Sequence, residues 1–267
     1  MSAMIPEFKT LLFEEKEPSI GIVTMNRADQ LNAINLDMLK DFETLFHALC
    51  QDDSIRVLII TGAGRGYSSG ADLNDAIANR KAEAFTEPEK FLKIAQERYA
   101  SLILGMRKIP QPIISAVNGP AAGGGLCMAL ASDIRVASPQ AYFVASFINI
   151  GLSGGELGSS FLLPRLIGLS HAADMLFTGR KISADEAEKT GLVNKVVPRE
   201  NLLETALSYA RMMVGKSVGG LKLTKRVLDE NLNAPSLESA MNLENRNQTL
   251  MVFSGEFFKL IQAFGKE

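Results

Sequence analysis

The apolar positions along the chain follow two periods, and the switches between them lay out the elements. Runs at Phe8–Glu14 and Ser19–Met25 are rich in Ile, Val, Leu and Phe, and Glu15-Lys16-Glu17-Pro18 separates them; together they predict an opening pair of strands. Asn35 precedes Leu36, Leu39, Phe42, Phe46 and Leu49, apolar at helical spacing, which predicts a capped amphipathic helix. In Arg56–Thr61 the unbroken run Val57-Leu58-Ile59-Ile60 is what a strand covered on both faces requires. A helical stretch from about Pro88 to Arg107 stops ahead of Pro110 and Pro112. Ile113–Val117 repeats the buried strand, Ala121–Ala131 reads as helix, and Asp133–Ala137 and Leu192–Val197 read as strands. Ser183 with Glu186 is a capping box for a short helix ending at Gly191.

Strands alternating with helices predict an α/β fold with parallel pairing. From about Glu200 onward only helical periodicity remains, over Leu202–Val214, Ser217–Leu228, Ser236–Leu250 and Glu256–Phe264. That change divides the chain into a core, residues 1–199, and a helical C-terminal region, residues 200–267.

Composition removes several classes of function. At 267 residues the chain fits one large domain, or a core with an appendage. A net charge of -2 without a Lys/Arg block gives no footprint for nucleic acid. Charged or polar residues interrupt every apolar run before the roughly 18 residues of a membrane span. Met1 to Lys9 lacks the basic start and apolar core of a secretion signal. Two separate cysteines, Cys50 and Cys127, make no disulfide framework, and with only His47 and His171 a metal cluster is not expected. The expectation is a cytoplasmic protein without metal, nucleic-acid or membrane partners.

The chemistry gathers in two glycine-rich segments, each directly after a buried strand: Gly62 to Leu73, and Asn118-Gly119-Pro120-Ala121-Ala122-Gly123-Gly124-Gly125. Such strand-to-helix turns expose backbone N–H groups at helix N-termini, where no intrahelical acceptor exists and the dipole favours negative charge. Two facing turns can form an oxyanion hole, one donor from each; equally, the glycines can serve only tight turns and close packing. Tyr67 occupies the place of the third glycine of a dinucleotide fingerprint, and no Gly-Lys-Ser/Thr makes a P-loop. Gly-x-Ser-x-Gly occurs at Gly66–Gly70 and at Gly151–Gly155. Ser68, Asp133 and His171 stand in the chain order of a hydrolase triad, although four loop residues separate the strand's end from Gly66.

Tyr67-Ser68-Ser69-Gly70-Ala71-Asp72-Leu73 and Asn118 to Gly125 resemble the two signature turns of the crotonase (enoyl-CoA hydratase/isomerase) superfamily. Met25-Asn26-Arg27, Leu31-Asn32-Ala33, Ser132-Asp133-Ile134-Arg135, Leu163 to Gly168, Phe177 to Arg180 and Gly191-Leu192-Val193 extend the resemblance over nearly the whole chain. It implies a ββα spiral core with a helical C-terminal trimerisation region, a homotrimer or dimer of trimers, and an acyl-CoA thioester as substrate. No cofactor is implied, because coenzyme A belongs to the substrate. The amides of Ala71 and Gly124 match the oxyanion-hole positions. Arg27, Ala33, Ser69, Gly70, Asp72, Leu73, Asn74, Cys127 and Phe147 fall among substrate-contacting positions. Arg65 and Lys225 are further candidates for the CoA phosphates, and Phe264 for a contact from a neighbouring subunit.

Family hydratases carry two glutamates where this chain has Cys127 and Phe147. Neither replaces a carboxylate, because phenylalanine transfers no proton and an unactivated thiol is a poor acid/base. Gly151-Leu152-Ser153-Gly154-Gly155-Glu156-Leu157-Gly158 resembles the loop where some family isomerases hold their acid, which makes Glu156 the catalytic candidate. Its other reading is an acid favoured at a helix start. One carboxylate suffices to shift a double bond. Hydration, other enolate chemistry through Glu156, and non-catalytic acyl-CoA binding are the alternatives.

Overall fold

The computed structural model describes residues 5–74 and 86–264. Strand β1 (Leu11–Glu17) pairs antiparallel with β2 (Ile20–Met25), and β2 runs parallel to β3 (Val57–Gly62). Glu15-Lys16-Glu17 proves to be strand, and the chain reverses at Pro18-Ser19, where Ser19 takes φ 67. Strand β4 (Ile113–Val117) continues the parallel sheet beside β3, followed by β6 (Ile134–Ala137) and β9 (Lys195–Val196), giving the order β1-β2-β3-β4-β6-β9. A second sheet joins β5 (Ala121–Ala122), β7 (Tyr142–Val144) and β8 (Ile182–Ser183).

The helices among the described residues are α1 (Leu36–Gln51), α2 (Pro88–Phe91), α3 (Glu97–Lys108), α4 (Gly124–Ala131) and α5 (Ser159–Thr178), then α6 (Ala184–Lys189), α7 (Leu202–Val214), α8 (Val218–Asn231), α9 (Leu237–Phe253) and α10 (Glu256–Phe264). Asn35 caps α1, its side chain accepting the Met38 N–H at 3.0 Å. Ser183 likewise accepts the Glu186 N–H at 3.2 Å, but the Glu186 carboxylate pairs with Arg180, so the capping box is half made.

Alternation along the central strands sorts their side chains between two cores. Val23, Leu58, Ile60, Ile113 and Val117 face α1, α3 and α4. Ile20, Ile22, Val57, Ile59, Ile114 and Ala116 face the other way, covered by Leu202, Ala206, Leu207 and Ala210 of α7. The continuous apolar run of β3 is therefore buried on both faces. Helix α7 lies beyond the change of periodicity near residue 200, yet it forms a layer of the core.

Further expectations are corrected, among them Leu192–Val197, of which only Lys195–Val196 is strand. Ala121 and Ala122 are strand, because Ala122 donates to the Ser68 carbonyl at 2.9 Å and Ala121 bridges Ser68; the helix begins only at Gly124, after Gly123 turns the chain at φ 51. The stretch from Pro88 is not one continuous α-helix either. A π-turn, Leu92–Gln96, separates α2 from α3, with the Glu97 N–H reaching back to the Leu92 carbonyl.

Lys225 of α8 is buried, donating to the carbonyls of Met106 (2.9 Å) and Gln111 (2.8 Å) and pairing with Asp133 at 3.3 Å. Burial holds its pKa down, opposed by Asp133. It fastens α8 to the core and is not exposed to meet a phosphate. Among the described residues, no helix is long and apolar enough to cross a membrane.

Candidate active site

Two buried asparagine side chains shape the glycine-rich loop after β3. Asn118, just past β4, donates through Nδ2 to the carbonyls of Gly62 (2.9 Å), Gly64 (3.1 Å) and Gly66 (3.2 Å), and its Oδ1 accepts the Gly62 N–H. Asn32, in the left-handed region at φ 56, donates to the carbonyls of Ala63 and Gly66 and accepts the Arg27 N–H. Their amides satisfy carbonyls that a buried irregular loop would otherwise leave unpaired.

The following turn is stitched to its neighbour by main-chain bonds. The N–H groups of Tyr67 and Ser68 donate to the Pro120 carbonyl (3.1 and 3.0 Å), Ser69 to Leu31, Gly70 to Ser68 Oγ and Asp72 to Ile34. The parallel bridge between Ile34 and Ala71 uses the flanking Gly70 carbonyl and Asp72 amide. Among the described residues no acceptor takes the Ala71 N–H. The same holds for Gly124, which opens α4 and has no intrahelical acceptor.

These two turns touch backbone to backbone. A Cβ placed on Gly70, itself at φ +90, would stand 2.7 Å from the Ala122 oxygen and 2.9 Å from the Gly124 nitrogen. On the second turn, a Cβ on Gly123 would meet Ser146 Oγ at 3.1 Å and the Phe147 ring at 3.5 Å.

Glu156 stands beside the second turn, half-buried, in the loop leading to α5. Its carbonyl accepts from the Cys127 thiol at 3.5 Å and from the Ser159 N–H at 2.9 Å, while its own N–H donates to Ser159 Oγ at 3.0 Å. The next residue, Leu157, adopts φ 47, an uncommon conformation for a bulky side chain, and its Cδ1 lies 3.7 Å from where a Gly124 Cβ would be. Among the described residues no cation pairs with the Glu156 carboxylate. Its side-chain partner is Gln96, whose Nε2 donates to Oε1.

Cys127 and Phe147 are both buried, Cys127 fully. Burial, reinforced by the nearby Glu156 charge, pushes the Cys127 thiol pKa far up, so it stays protonated at neutral pH. Arg27 and Asp72 are each other's partners, at 2.8 Å, and Arg27 also donates to the Ala33 carbonyl. The pair clamps the segment before α1 to the first turn. Ser69 is half-buried, with Oγ donating to the Gln30 carbonyl at 3.3 Å, while Leu73 and Asn74 are exposed.

The hydrolase constellation does not assemble. Ser68 is fully buried and donates to the Asn32 carbonyl at 2.8 Å; Asp133 pairs with Arg107 at 2.9 Å; His171 is exposed on α5. Ser153 is exposed in a loop that does not leave a strand. The 75–85 part of the Ile77–Ile103 segment expected to set acyl depth lies outside the described residues, as does the Phe264 side chain.

Sequence reasoning passed over Gln96, because its contact spans 60 residues of chain and no motif marks it. The roles of Asn32 and Asn118 were equally hidden, though both stand inside the quoted motifs.

A family model described as "Enoyl-CoA hydratase/isomerase" matches residues 15–265. A protein of Mycobacterium bovis named "Probable enoyl-CoA hydratase echA12" is 46% identical over 238 residues, 89% of this chain and 83% of its own. The 1,2-epoxyphenylacetyl-CoA isomerase of Escherichia coli is 35% identical over 249 residues, 93% of this chain and 92% of its own. The crystal structure of a monofunctional enoyl-CoA isomerase from M. smegmatis is 42% identical, covers 87% of this chain and 98% of its own, and gives a TM-score of 0.74.

Proposed function

Because the chain belongs to the enoyl-CoA hydratase/isomerase family, we propose that it moves a double bond in an acyl-CoA thioester, converting a 3-enoyl-CoA to the conjugated 2-enoyl-CoA. The observation that carries this reading is the Glu156 carboxylate, with no cation paired to it among the described residues, beside two turns whose Ala71 and Gly124 amides find no acceptor among those residues.

In this mechanism the thioester oxygen accepts from both amides. Glu156 removes a proton from C2, and the electrons move into the carbonyl and the adjacent double bond, giving a dienolate. Preorganised N–H groups stabilise the charge as it develops, at no reorganisation cost during the step. Glu156 then returns the proton to C4, so the same residue serves as base and acid. Phe147 and the side chain of Leu157 give this region apolar walls, which favours returning the proton over orienting a water.

Glu156→Gln keeps the shape and the Gln96 neighbour but removes the base. Isomerisation of a 3-enoyl-CoA is expected to fall at least about 10³-fold while a saturated acyl-CoA binds as before; undiminished turnover would reject the assignment. The second reading is hydration or other enolate chemistry through Glu156, favoured by the 46%-identical relative named as a hydratase. It predicts a 3-hydroxyacyl-CoA from a 2-enoyl-CoA in the same assay.

We further propose self-association through the C-terminal helices, as a homotrimer or dimer of trimers. Leu237 and Phe253 of α9 are 76% and 85% exposed, and Phe258 of α10 is 56% exposed. Such contiguous helices leave much apolar surface in water unless a partner covers it.

A further inference from the structure

We propose that Gln96, at the start of α3, is the positioning residue for the Glu156 carboxylate. The inference rests on the Glu156 reading. Gln96, just before α3, recurs at helical spacing with Tyr99, Ile103 and Met106 and continues their face of the helix; Ile103 and Met106 are buried, Tyr99 and Gln96 half-buried. That face reaches both halves of the site. Tyr99 Oη donates to the Ile34 carbonyl at 3.0 Å, and the Ile34 N–H donates in turn to the Gly70 carbonyl at 2.7 Å, on the turn that carries Ala71. One turn earlier on the helix, Gln96 Nε2 donates to Glu156 Oε1. Helix α3 thereby spans from the first turn to the acid and sets the separation between them.

The chemistry of the partner is as informative as its place. A lysine or arginine there would neutralise the carboxylate and stabilise it as an ion pair, opposing its service as a base. A primary amide carries no charge. It holds one carboxylate oxygen and leaves the lone pairs of the other free for the C2 proton. When that second oxygen is protonated, the held oxygen is a carbonyl that still accepts from Nε2, so the orientation survives the whole proton cycle. Fixing the carboxyl in this way supplies near-attack geometry that a freely rotating glutamate reaches only part of the time.

The test pairs Gln96→Met, close in shape but without a donor, with Gln96→Glu, which places an acceptor against an acceptor, and measures both beside Glu156→Gln. Expected for Gln96→Met is a fall in kcat of about 10- to 100-fold, the range for losing one hydrogen bond to a charged group. KM and the affinity for a saturated acyl-CoA stay within about twofold, and exchange of the substrate C2 proton into heavy water slows in parallel with kcat. Gln96→Glu is expected to lose at least as much at neutral pH. Full kcat in either folded variant, or a loss confined to KM, would overturn the proposal. An active Glu156→Gln would sink the reading of Glu156 itself. A dead Glu156→Gln beside a fully active Gln96→Met would remove only the role given to Gln96.

Discussion

Replacing Gly70 with alanine tests the contact on which the candidate site depends. The added methyl would stand 2.7 Å from the Ala122 oxygen and 2.9 Å from the Gly124 nitrogen, where ordinary contact begins at 3.4 Å. Both obstacles are backbone, so neither can rotate aside, and the turns must part by roughly half an ångström or more. The residue also sits at φ +90, where an L side chain costs about 1–2 kcal/mol. Overpacking of this kind costs a further 1–3 kcal/mol or so. A total loss of about 2–5 kcal/mol in stability is expected, read as a lowered Tm. The larger effect falls on turnover. Displacing one amide of an oxyanion site costs about 10²–10³ in kcat, so isomerisation, followed through the ultraviolet absorbance of the conjugated thioester, should fall by that factor in the surviving folded fraction. Gly124→Ala is the control for stability: its methyl would meet chiefly the flexible end of Ile34, at 3.2 Å, and is expected to lower Tm far less. A Gly70→Ala protein with unchanged Tm and kcat would refute the claim that the two turns abut.

Two further outcomes are expected. Brief iodoacetamide treatment of the native protein, read by mass spectrometry, should modify exposed Cys50 and leave Cys127 intact, since burial keeps its thiol protonated and covered; rapid labelling of Cys127 would contradict the packing described. Sedimentation at micromolar concentration should give three or six times the 28.9 kDa chain mass, and a lone monomer would remove the proposed role of the C-terminal helices.

The elements that were legible in the chain are those with a long period or a local chemical marker. Asn35 reads as a cap because its acceptor bonds three residues on, and Leu202–Val214 reads as a helix because its amphipathic period runs for thirteen residues. The two- and three-residue strands β5, β7 and β8 are too short for any period, and small residues at 121–122 passed for helix until the neighbouring turn claimed their main-chain groups. Periodicity also records that Leu202–Val214 is a helix but not that it covers one face of the sheet. Within the candidate site, the two glycine turns stood out by residue type and order, and Glu156 became a candidate through its loop's resemblance to that of family isomerases. The Arg27–Asp72 pair was not, because each residue alone looks like a ligand contact and only the fold makes them neighbours 45 positions apart. Gln96 had no signal at all, because its contact with Glu156 joins positions 60 apart that no motif links.

The asparagine brackets carry a wider consequence. Asn32 and Asn118 grip the main chain of the first loop, and backbone hydrogen bonds from Tyr67, Ser68 and Ala122 join the two turns, so the cradle proposed for a carbonyl is specified almost without reactive side chains. Positions 127, 147 and 156 hang around that cradle as interchangeable fittings. Under the proposed function, a chassis of this sort lets one scaffold be re-tooled for a different proton itinerary by swapping a few fittings, while the turns proposed to steady an anion keep their shape.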